Sequence, residues 1–394
     1  MAAAMERRAL GDTGMMVSSF CFGTWELGGL AWGPITAEDA VALLRQALDQ
    51  GVNIYDCSDN YGGGRSEVLL SAAFHGQRHD VVYVTKVGYL PGLDGAQSVR
   101  MRPEIGGRDR DHSPEYIRWA CELSLRRLNT DFIDVYLLHD APAEVLRDRA
   151  AFDALRELQR AGKIRAYGVS SSADGAALAI REHGAQVVMA PFSLLDQKPA
   201  DVLFALAAQG AGILARSPFS GGVLLDEVVA VAAAGEAPEF SPTDRRSALG
   251  AARLAETARR AEQLRFLSDA AGGSLSTAAV RYVLSYPEVA SVVTGVMRPG
   301  ELEANLAACR PPYFDAALRD RAHALWQSGF AGPNRALRES RGSRRRLAAR
   351  ARLNLREMVQ PRQASARPAI WPGIRGAGRP CACGGAGLAA ASPR

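Results

Sequence analysis

The chain lacks several features that would fix its location or chemistry at once. No run of about 18 uncharged apolar residues is present, so no helix is expected to span a membrane. The first eight residues contain no apolar signal core, and the six cysteines form no Cys-x-x-Cys pair. Both absences predict a cytoplasmic protein. Cys381 and Cys383 have one residue between them, which is the wrong spacing for zinc, so we expect no metal site.

Lysine is scarce, and the positive charge is concentrated at one end of the chain. Residues 331–394 contain fourteen arginines, no lysine and two glutamates, whereas the preceding residues carry 33 basic and 40 acidic groups. The same segment is rich in alanine, glycine and proline, so it cannot bury enough apolar surface to offset its ordering entropy. We therefore expect a disordered tail, with a basic arm for nucleic acid as the alternative. Residues 1–330 are expected to form one domain without nucleic-acid or membrane partners.

Eight apolar strand patterns alternate with helix patterns before this tail. Strands this apolar need cover on both faces, which predicts an α/β fold with a parallel sheet and helices outside. Eight such units favour a closed (β/α)8 TIM barrel over an open doubly wound sheet, which usually has a glycine fingerprint after its first strand. An N-terminal hairpin is expected over residues 6–17. Long loops are expected after strands 3 and 7, over residues 87–112 and 216–248, and single helices over residues 143–161 and 249–271.

Three successive strands end on reactive side chains. One ends at Asp56, five residues before Tyr61, and the next two end at Lys86 and His139. The carboxyl ends of barrel strands form the catalytic rim, so these four side chains are expected to meet. Each of these residues also has a structural alternative when it is considered alone. Asp56 can be a turn residue, Tyr61 can pack a loop, and His139 can be a structural histidine. Lys86 is harder to dismiss, because the chain has only two other lysines.

These residues and their flanks resemble the aldo-keto reductases over residues 6–310. Two stretches are similar to the family's N-terminal hairpin and first barrel loop, namely Arg8-Ala9-Leu10-Gly11-Asp12-Thr13-Gly14 and Gly23-Thr24-Trp25. Further similar stretches are residues 51–62, 124–134 and 162–170. The resemblance implies a catalytic tetrad of Asp56, Tyr61, Lys86 and His139.

The expected roles follow from carbonyl reduction, which needs a hydride from a cofactor and a proton for the developing alkoxide. Tyrosine, with an ordinary pKa of about 10, is a poor acid at neutral pH unless it is tuned. Lys86 is expected to lower the pKa of Tyr61, and Asp56 is expected to keep the lysine charged. His139 is expected to donate a hydrogen bond to the substrate oxygen and orient it.

The expected cofactor is NADPH, with NADH possible, bound through the loops after the last strands. Small residues after strand 7 let backbone N–H groups approach a pyrophosphate. By resemblance, Arg298 faces the adenosine 2′-phosphate, which an arginine binds bidentately, and Asn305 faces the adenine. An ordinary surface arginine is the alternative for Arg298. The predicted cofactor contacts are Gly23, Thr24, Trp25, Asp56, Ser170, Ser171, Met189, Phe192, Ser217, Pro218, Phe219, Gly221, Gly295, Arg298 and Asn305.

Four positions depart from the commonest family pattern. Ser171 stands where an asparagine is frequent, Met189 where a glutamine often ends a strand, and Ala304 where an acid often precedes Asn305. Phe192 stands where a tyrosine often stacks on the nicotinamide, and its ring is expected to preserve that stacking. The missing amides remove hydrogen bonds to the nicotinamide.

The expected function is the reversible reduction of a small aldehyde or ketone to an alcohol, with the proton supplied by Tyr61. The predicted substrate contacts are Trp25, Trp32, Tyr61 and His139, and loop packing is the alternative for the two tryptophans. A sugar 1-dehydrogenase working oxidatively is one alternative function. A cofactor-binding regulatory subunit with little turnover is the other. The oligomeric state is left open.

Overall fold

Eight parallel strands close into a barrel, in the order in which they follow one another along the chain. The computed structural model describes residues 5–29, 32–90, 110–236, 240, 246 and 250–330. The barrel strands are β3 Phe20–Gly23, β4 Ile54–Asp56, β5 Val82–Val87, β6 Ile133–His139, β7 Ile164–Ser170, β8 Val187–Pro191, β9 Gly212–Arg216 and β10 Val289–Gly295. The predicted (β/α)8 barrel is confirmed.

Thirteen helices lie within the described residues and surround the barrel. They are α1 Ala37–Asp49, α2 Arg65–Ala73, α3 Pro114–Leu128, α4 Ala143–Arg147, α5 Arg149–Arg160, α6 Ala173–His183, α7 Ala200–Ala207, α8 Asp226–Ala233, α9 Ala251–Gln263, α10 Arg265–Ala270, α11 Leu275–Leu284, α12 Pro299–Ala308 and α13 Ala316–Gln327. No helix in this part of the chain is long and apolar enough to cross a membrane.

The predicted hairpin is also present and covers the amino-terminal end of the barrel. It consists of β1 Arg7–Ala9 and β2 Met16–Ser18, which pair antiparallel. Leu10, Met15 and Val17 from this segment are buried in one apolar cluster with the inward-facing barrel residues. These side chains fill the barrel interior at the amino-terminal end of the strands.

Alternation along the strands separates two apolar layers. In β8, Val187 and Met189 face the barrel interior, whereas Val188 and Ala190 face the helices. The outer layer is the larger and takes in the apolar faces of the helices, so burial of apolar area stabilises both layers. One glycine shows how close the strands approach: a Cβ on Gly168 would overlap the carbonyl oxygen of Val187.

The prediction of a single helix over residues 143–161 is wrong. The structure has α4 and α5 instead, separated at Asp148, which adopts an extended backbone with ψ of 134°. The carboxylate of Asp148 accepts a hydrogen bond from Ala150 N at 3.1 Å. Asp148 thereby caps α5, and aspartate favours such caps over helix interiors.

Two further element predictions need correction. The single helix expected over residues 249–271 is two helices, α9 and α10, which meet at Leu264. The loop expected over residues 216–248 contains the helix α8, held by Asp226, whose carboxylate accepts from Leu275 N at 2.7 Å. Residues 91–109 of the other long loop and the predicted tail, residues 331–394, lie outside the described residues. The predicted division into a domain and a tail stays a prediction.

Candidate active site

The carboxyl-terminal rim of the barrel brings together side chains from neighbouring strands. β4 ends at Asp56 and β6 ends at His139, while Lys86 is the penultimate residue of β5 between them. Tyr61 lies in the turn between β4 and α2. Parallel strands all end on the same side of the sheet, so three successive βα units deliver the four predicted catalytic residues to one place.

Lys86 is the centre of this group and is almost completely buried, with 1% of its surface exposed. Its ammonium donates to Asp56 Oδ1 at 2.5 Å, to the carbonyl of Cys57 at 2.8 Å and to Tyr61 OH at 3.1 Å. An ammonium has three hydrogens, and each therefore has an acceptor. We assign the lysine and Asp56 as an ion pair on this count.

The pKa shifts in this pair have different causes. Burial favours the neutral amine, but the charges and hydrogen bonds of Asp56 and Tyr61 outweigh it, and the pKa of Lys86 is raised. Burial also raises the pKa of the Asp56 carboxyl, and the lysine opposes this shift. A raised lysine pKa favours the charged pair and a raised aspartate pKa opposes it. We assign the charged pair because each of the three ammonium hydrogens of Lys86 has an acceptor.

Lys86 acts on the pKa of Tyr61 in the predicted direction, but it does not bring that pKa below the ordinary value. Burial raises the pKa of this phenol to about 12, although the lysine's charge and hydrogen bond act in the opposite direction. Tyr61 is consequently a protonated phenol at neutral pH. The raised pKa also makes the phenol a weaker acid, so the loss of its proton depends on Lys86 stabilising the phenolate.

His139 completes the group from the next strand. Its ring lies 6.0 Å from the ring of Tyr61 and 4.7 Å from that of Tyr89, both edge-on. Its Nδ1 lies 3.3 Å from Ser58 Oγ, and the backbone carbonyl of His139 lies 3.3 Å from His112 Nε2. With 7% of its surface exposed, the histidine is held at the edge of the mouth rather than in solvent.

Aromatic side chains from the loop after β3 form one wall of the mouth. The ring of Trp25 lies 6.2 Å from Tyr61 and meets Trp32 edge-on at 5.8 Å. The guanidinium of Arg246 lies 5.0 Å from the Trp32 ring. The two tryptophans thus lie on the Tyr61 side of the mouth.

Several predicted cofactor residues also lie on the rim. Gly23 ends β3 and pairs with Asp56, and Ser170 ends β7 and pairs with both His139 and Met189. Thr24 is buried and donates through its hydroxyl to the carbonyl of Asp56 at 2.8 Å, whereas the amide of Ser171 bonds the carbonyl of Met189. These residues therefore lie at strand ends next to Asp56 and His139.

Phe192, the predicted nicotinamide contact, lies in the outer apolar layer rather than inside the barrel. Its ring is 1% exposed and packs against Phe204, Tyr282 and Tyr286 in the layer between barrel and helices. Met189, three residues earlier, faces the barrel interior. An odd separation in an extended segment sends the two side chains to opposite faces, so only the methionine lies on the inner side.

The loop after β9 turns sharply. Ser217, Ser220 and Gly221 all have positive φ, and Pro218 and Phe219 lie between them. Within the loop, the amide of Ser220 donates to the carbonyl of Ser217 at 2.9 Å. This amide, which the sequence offers for a pyrophosphate, is already bonded inside the turn.

The last strand and its helix present the remaining predicted contacts. Gly295 ends β10, and a Cβ there would overlap the Glu26 carboxylate. Arg298 is the partly exposed N-cap of α12, and Asn305 is buried two turns further along that helix. The two side chains thus lie along one side of α12.

Sequence reasoning missed Arg216, the last residue of β9. Its guanidinium lies 3.8 Å from Asp140 Oδ1, although β9 and β6 are three strands apart around the ring, so the pair reaches across the mouth. Its charge lowers the pKa of Tyr61 slightly. The signal was present in the sequence, because Arg216 ends an apolar strand just as Lys86 does.

A cavity at the other end of the barrel is unrelated to these groups. Its volume is about 370 Å³, and its lining includes Asn53, Val82 and Arg165 at the amino-terminal ends of strands. The guanidinium of Arg78 in its wall already bonds Asp134 and backbone carbonyls. We therefore place the chemistry at the rim and not in this cavity.

Comparison with known proteins now decides the family. The model of the aldo/keto reductase family matches residues 19–320. The chain belongs to the aldo-keto reductase family. It is therefore an oxidoreductase of a family that uses nicotinamide cofactors and acts on small carbonyl substrates.

Individual aldo-keto reductases are similar to this chain over most of their length. L-galactose dehydrogenase of Arabidopsis thaliana is 29% identical, over 77% of this chain and 88% of that protein. The NADH-specific methylglyoxal reductase of Escherichia coli is 27% identical, over 82% and 99%. Among solved structures, the holo form of the aldo-keto reductase AKR11C1 of Bacillus halodurans is 26% identical with a TM-score of 0.63, over 82% and 96%.

The side chains at the rim fit the dinucleotide that this family uses. Arg216 Nε and Thr294 Oγ1 are buried and have no hydrogen-bond partner among the described residues. Both lie at the ends of the last two barrel strands, where barrels bind phosphate groups. A polar ligand that accepts from these groups would satisfy them, and Arg298 adds a second guanidinium nearby in sequence.

Proposed function

We propose that this aldo-keto reductase reduces an aldehyde or ketone to an alcohol with NADPH. The observation that carries the proposal is the contact of 3.1 Å between Lys86 Nζ and Tyr61 OH, within a buried group that also contains Asp56 and His139. A bound reduced nicotinamide supplies the hydride. The chain's own residues supply the proton, the orientation of the carbonyl and the exclusion of water.

Tyr61 is the proton donor in this proposal. Its phenol transfers the hydrogen from OH to the carbonyl oxygen as negative charge develops there, and Lys86 stabilises the phenolate that remains. Asp56 keeps the lysine charged but does not contact the substrate. His139 donates a second hydrogen bond to the same oxygen, which orients the carbonyl. Trp25 and Trp32 cover the apolar part of the substrate.

The cofactor is proposed to lie along the far side of the rim. Ser170, Ser171 and Met189 support this placement, because they lie beside His139 on neighbouring strands. NADPH is favoured over NADH because Arg298 is partly exposed at the start of α12 and its guanidinium suits a dianionic 2′-phosphate. Asn305 is the proposed adenine contact.

Oxidation of a sugar at its 1-position is a second candidate, and the similarity to an L-galactose dehydrogenase favours it. Oxidation needs Tyr61 as a phenolate base, and a pKa of about 12 keeps that form scarce at neutral pH. The rate of oxidation should therefore rise with pH well beyond neutrality. An oxidation rate that is already maximal at neutral pH would count against Tyr61 as the base.

The substitution Tyr61→Phe tests the proposal. With NADPH and para-nitrobenzaldehyde, kcat should fall by about 10²–10⁴-fold, the usual contribution of a positioned general acid. The Kd for NADPH should change little, because the removed hydroxyl binds Lys86 and the substrate. Tyr313→Phe is the matched control: its hydroxyl bonds Glu6 and the carbonyl of Cys309, far from the rim.

Two results would contradict the reductase. Turnover of Tyr61→Phe equal to that of Tyr313→Phe would remove the phenol from the mechanism. Tight NADPH binding without turnover on a broad panel of aldehydes, ketones and sugars would instead favour a regulatory subunit. The cytoplasmic location and the disordered tail stay predictions.

A further inference from the structure

A buried serine connects the catalytic histidine to a second acid. Ser58 is completely buried in the turn after β4, and its Oγ lies 3.3 Å from His139 Nδ1. The same oxygen lies 3.0 Å from Asp59 Oδ1 and 2.9 Å from Asn60 Oδ1. All three neighbours are buried as well. None of these three contacts belongs to the Lys86–Tyr61 group.

Counting hydrogens shows why this arrangement matters. A hydroxyl donates one hydrogen bond and accepts two, so among three neighbours one must accept from Ser58 and two must donate to it. If Ser58 donates to His139 Nδ1, the neutral ring carries its hydrogen on Nε2 and can donate to a carbonyl. If Nδ1 of the neutral ring donates to Ser58 instead, Nε2 has a lone pair and cannot donate.

The protonation of Asp59 and the orientation of the Asn60 amide together decide between these two arrangements. Behind Asp59 lies Glu67, which is also completely buried and accepts from Arg127 at 3.2 Å and from Thr85 at 2.7 Å. Arg127 reaches only the backbone carbonyl of Asp59, at 3.4 Å, and Asp59 Oδ2 has no partner among the described residues. Two buried carboxyls thus share one guanidinium, which is bonded to Glu67. This favours a neutral carboxylic acid at Asp59.

A neutral Asp59 has a hydrogen to give. Burial raises the pKa of its carboxyl well above the ordinary value, and the charge of Glu67 adds to the shift. The acid can then donate to Ser58 Oγ. The structure has the amide oxygen of Asn60 beside Ser58, so the arrangement proposed below takes this amide turned by half a turn, with its nitrogen as the second donor. The remaining bond of Ser58 is then a donation to His139.

We propose that Ser58 is a positioning residue that donates its hydroxyl hydrogen to His139 Nδ1 and so holds the tautomer with hydrogen on Nε2. The inference rests on the proposed reductase function, because the reduction of a carbonyl needs a donor at Nε2. Asp59 acts one step further back, by donating to Ser58. Neither Ser58 nor Asp59 contacts the substrate.

The tautomer is measured directly by NMR of the ¹⁵N-labelled full chain, which contains six histidines. A His139→Gln variant assigns the signals. We expect hydrogen on Nε2 of His139 in the wild type. Hydrogen on Nδ1 would overturn the proposal, and it would do so whether or not any carbonyl is reduced, because no substrate is present.

Two variants separate Ser58 from Asp59. Asp59→Asn replaces the acid with an amide that always has hydrogens to donate, so the Nε2–H tautomer should persist. A shift of the hydrogen to Nδ1 in this variant would remove Asp59 from the scheme. In Ser58→Ala the Nδ1 signal should move because its hydrogen-bond donor is gone. The kcat for carbonyl reduction should fall by about 10-fold, less than the loss of about 10²–10³-fold for deleting an oxyanion donor outright.

Ser66→Ala is the matched control. Its hydroxyl is completely buried and bonds the carbonyl of Ser58 at 3.2 Å without contacting His139. A general loosening of this turn should therefore affect both alanine variants, whereas the change in the histidine signals should be confined to Ser58→Ala. Equal changes in both would assign Ser58 a purely structural role. If Ser58→Ala does not fold, the spectra of the wild type and Asp59→Asn still decide the tautomer.

Discussion

Removing the charge of Lys86 should leave the buried carboxylate of Asp56 without its ion-pair partner and so lower the stability of the protein. The substitution Lys86→Met tests this without any assumption about the substrate. At 2.5 Å and an effective dielectric constant of about 20, the attraction to Asp56 is about 7 kcal/mol. Much of this offsets the desolvation of two buried charges. Loss of one partner from a buried pair usually lowers the free energy of unfolding by about 3–5 kcal/mol, because the other charge is left unpaired. We expect a loss in that range.

A second substitution should return much of this stability. In Lys86→Met/Asp56→Asn no charge is left buried, and replacement of both members of a buried pair is often close to neutral. We therefore expect the double variant to recover roughly half or more of the loss. Lys163→Met is the control, since its partner Glu122 and the lysine itself are both about two-fifths exposed, and such pairs contribute about 0–1 kcal/mol.

The stability loss in Lys86→Met should also depend on pH. Without the lysine, burial raises the pKa of Asp56 in the folded state further above its unfolded value of about 3.9. Below the unfolded pKa such a carboxyl does not change the free energy of unfolding; its destabilising effect grows as pH rises from the unfolded pKa and is complete above the folded pKa. The loss should thus be smallest near pH 4 and grow as pH rises toward neutrality.

Urea unfolding followed by tryptophan fluorescence at several pH values measures all four proteins. Three results would refute the reasoning. Lys86→Met could prove no less stable than Lys163→Met. The double variant could prove no more stable than the single one. The loss in Lys86→Met could be the same at every pH, which would show that Asp56 is not a carboxylate held by this lysine.

Two other predictions concern the barrel and the cofactor. Gly168→Ala should lower the free energy of unfolding by about 1–3 kcal/mol, because its Cβ would overlap the Val187 carbonyl. Gly300→Ala is the control and should cause no such loss, because the space around Gly300 is open. Equal urea midpoints for the two variants would contradict the close strand contact. Arg298→Ala should raise the Kd for NADPH by about 10–100-fold, the value of hydrogen bonds to a charged group, while the Kd for NADH changes little. Equal losses for both cofactors, measured by fluorescence titration, would contradict a 2′-phosphate contact.

Strand patterns were enough to predict the barrel and the rim. Eight apolar segments alternating with helices admit few architectures, and in a parallel barrel every strand ends on the same side. Asp56, Lys86 and His139 could therefore be placed together from their positions at strand ends alone. The hairpin could also be predicted from a local signal, namely a turn between two short extended segments.

Helix boundaries were less certain from sequence because they depend on single capping residues. Asp148 divides α4 from α5 by capping the second helix through its own carboxylate. Asp226 begins α8 and is held by Leu275 N, far away in sequence. A periodic apolar pattern continues across the first of these breaks, so the pattern alone predicts one long helix.

Only the tertiary structure decided which way side chains face and how much their environment is desolvated. Phe192 faces the helices. Met189, three residues earlier, faces the barrel interior, and side chains an odd number of residues apart in an extended segment point to opposite faces. Burial raises the pKa of Tyr61 more than the charge and hydrogen bond of Lys86 lower it, so the phenol stays protonated at neutral pH. The Ser58–His139 contact and the reach of Arg216 across the mouth likewise depend on three-dimensional placement. The sequence by itself determined which groups are present at the rim, because strand ends are local features. Their ionisation and hydrogen bonding were decided by the fold, because desolvation and distance are sums over the whole surrounding structure.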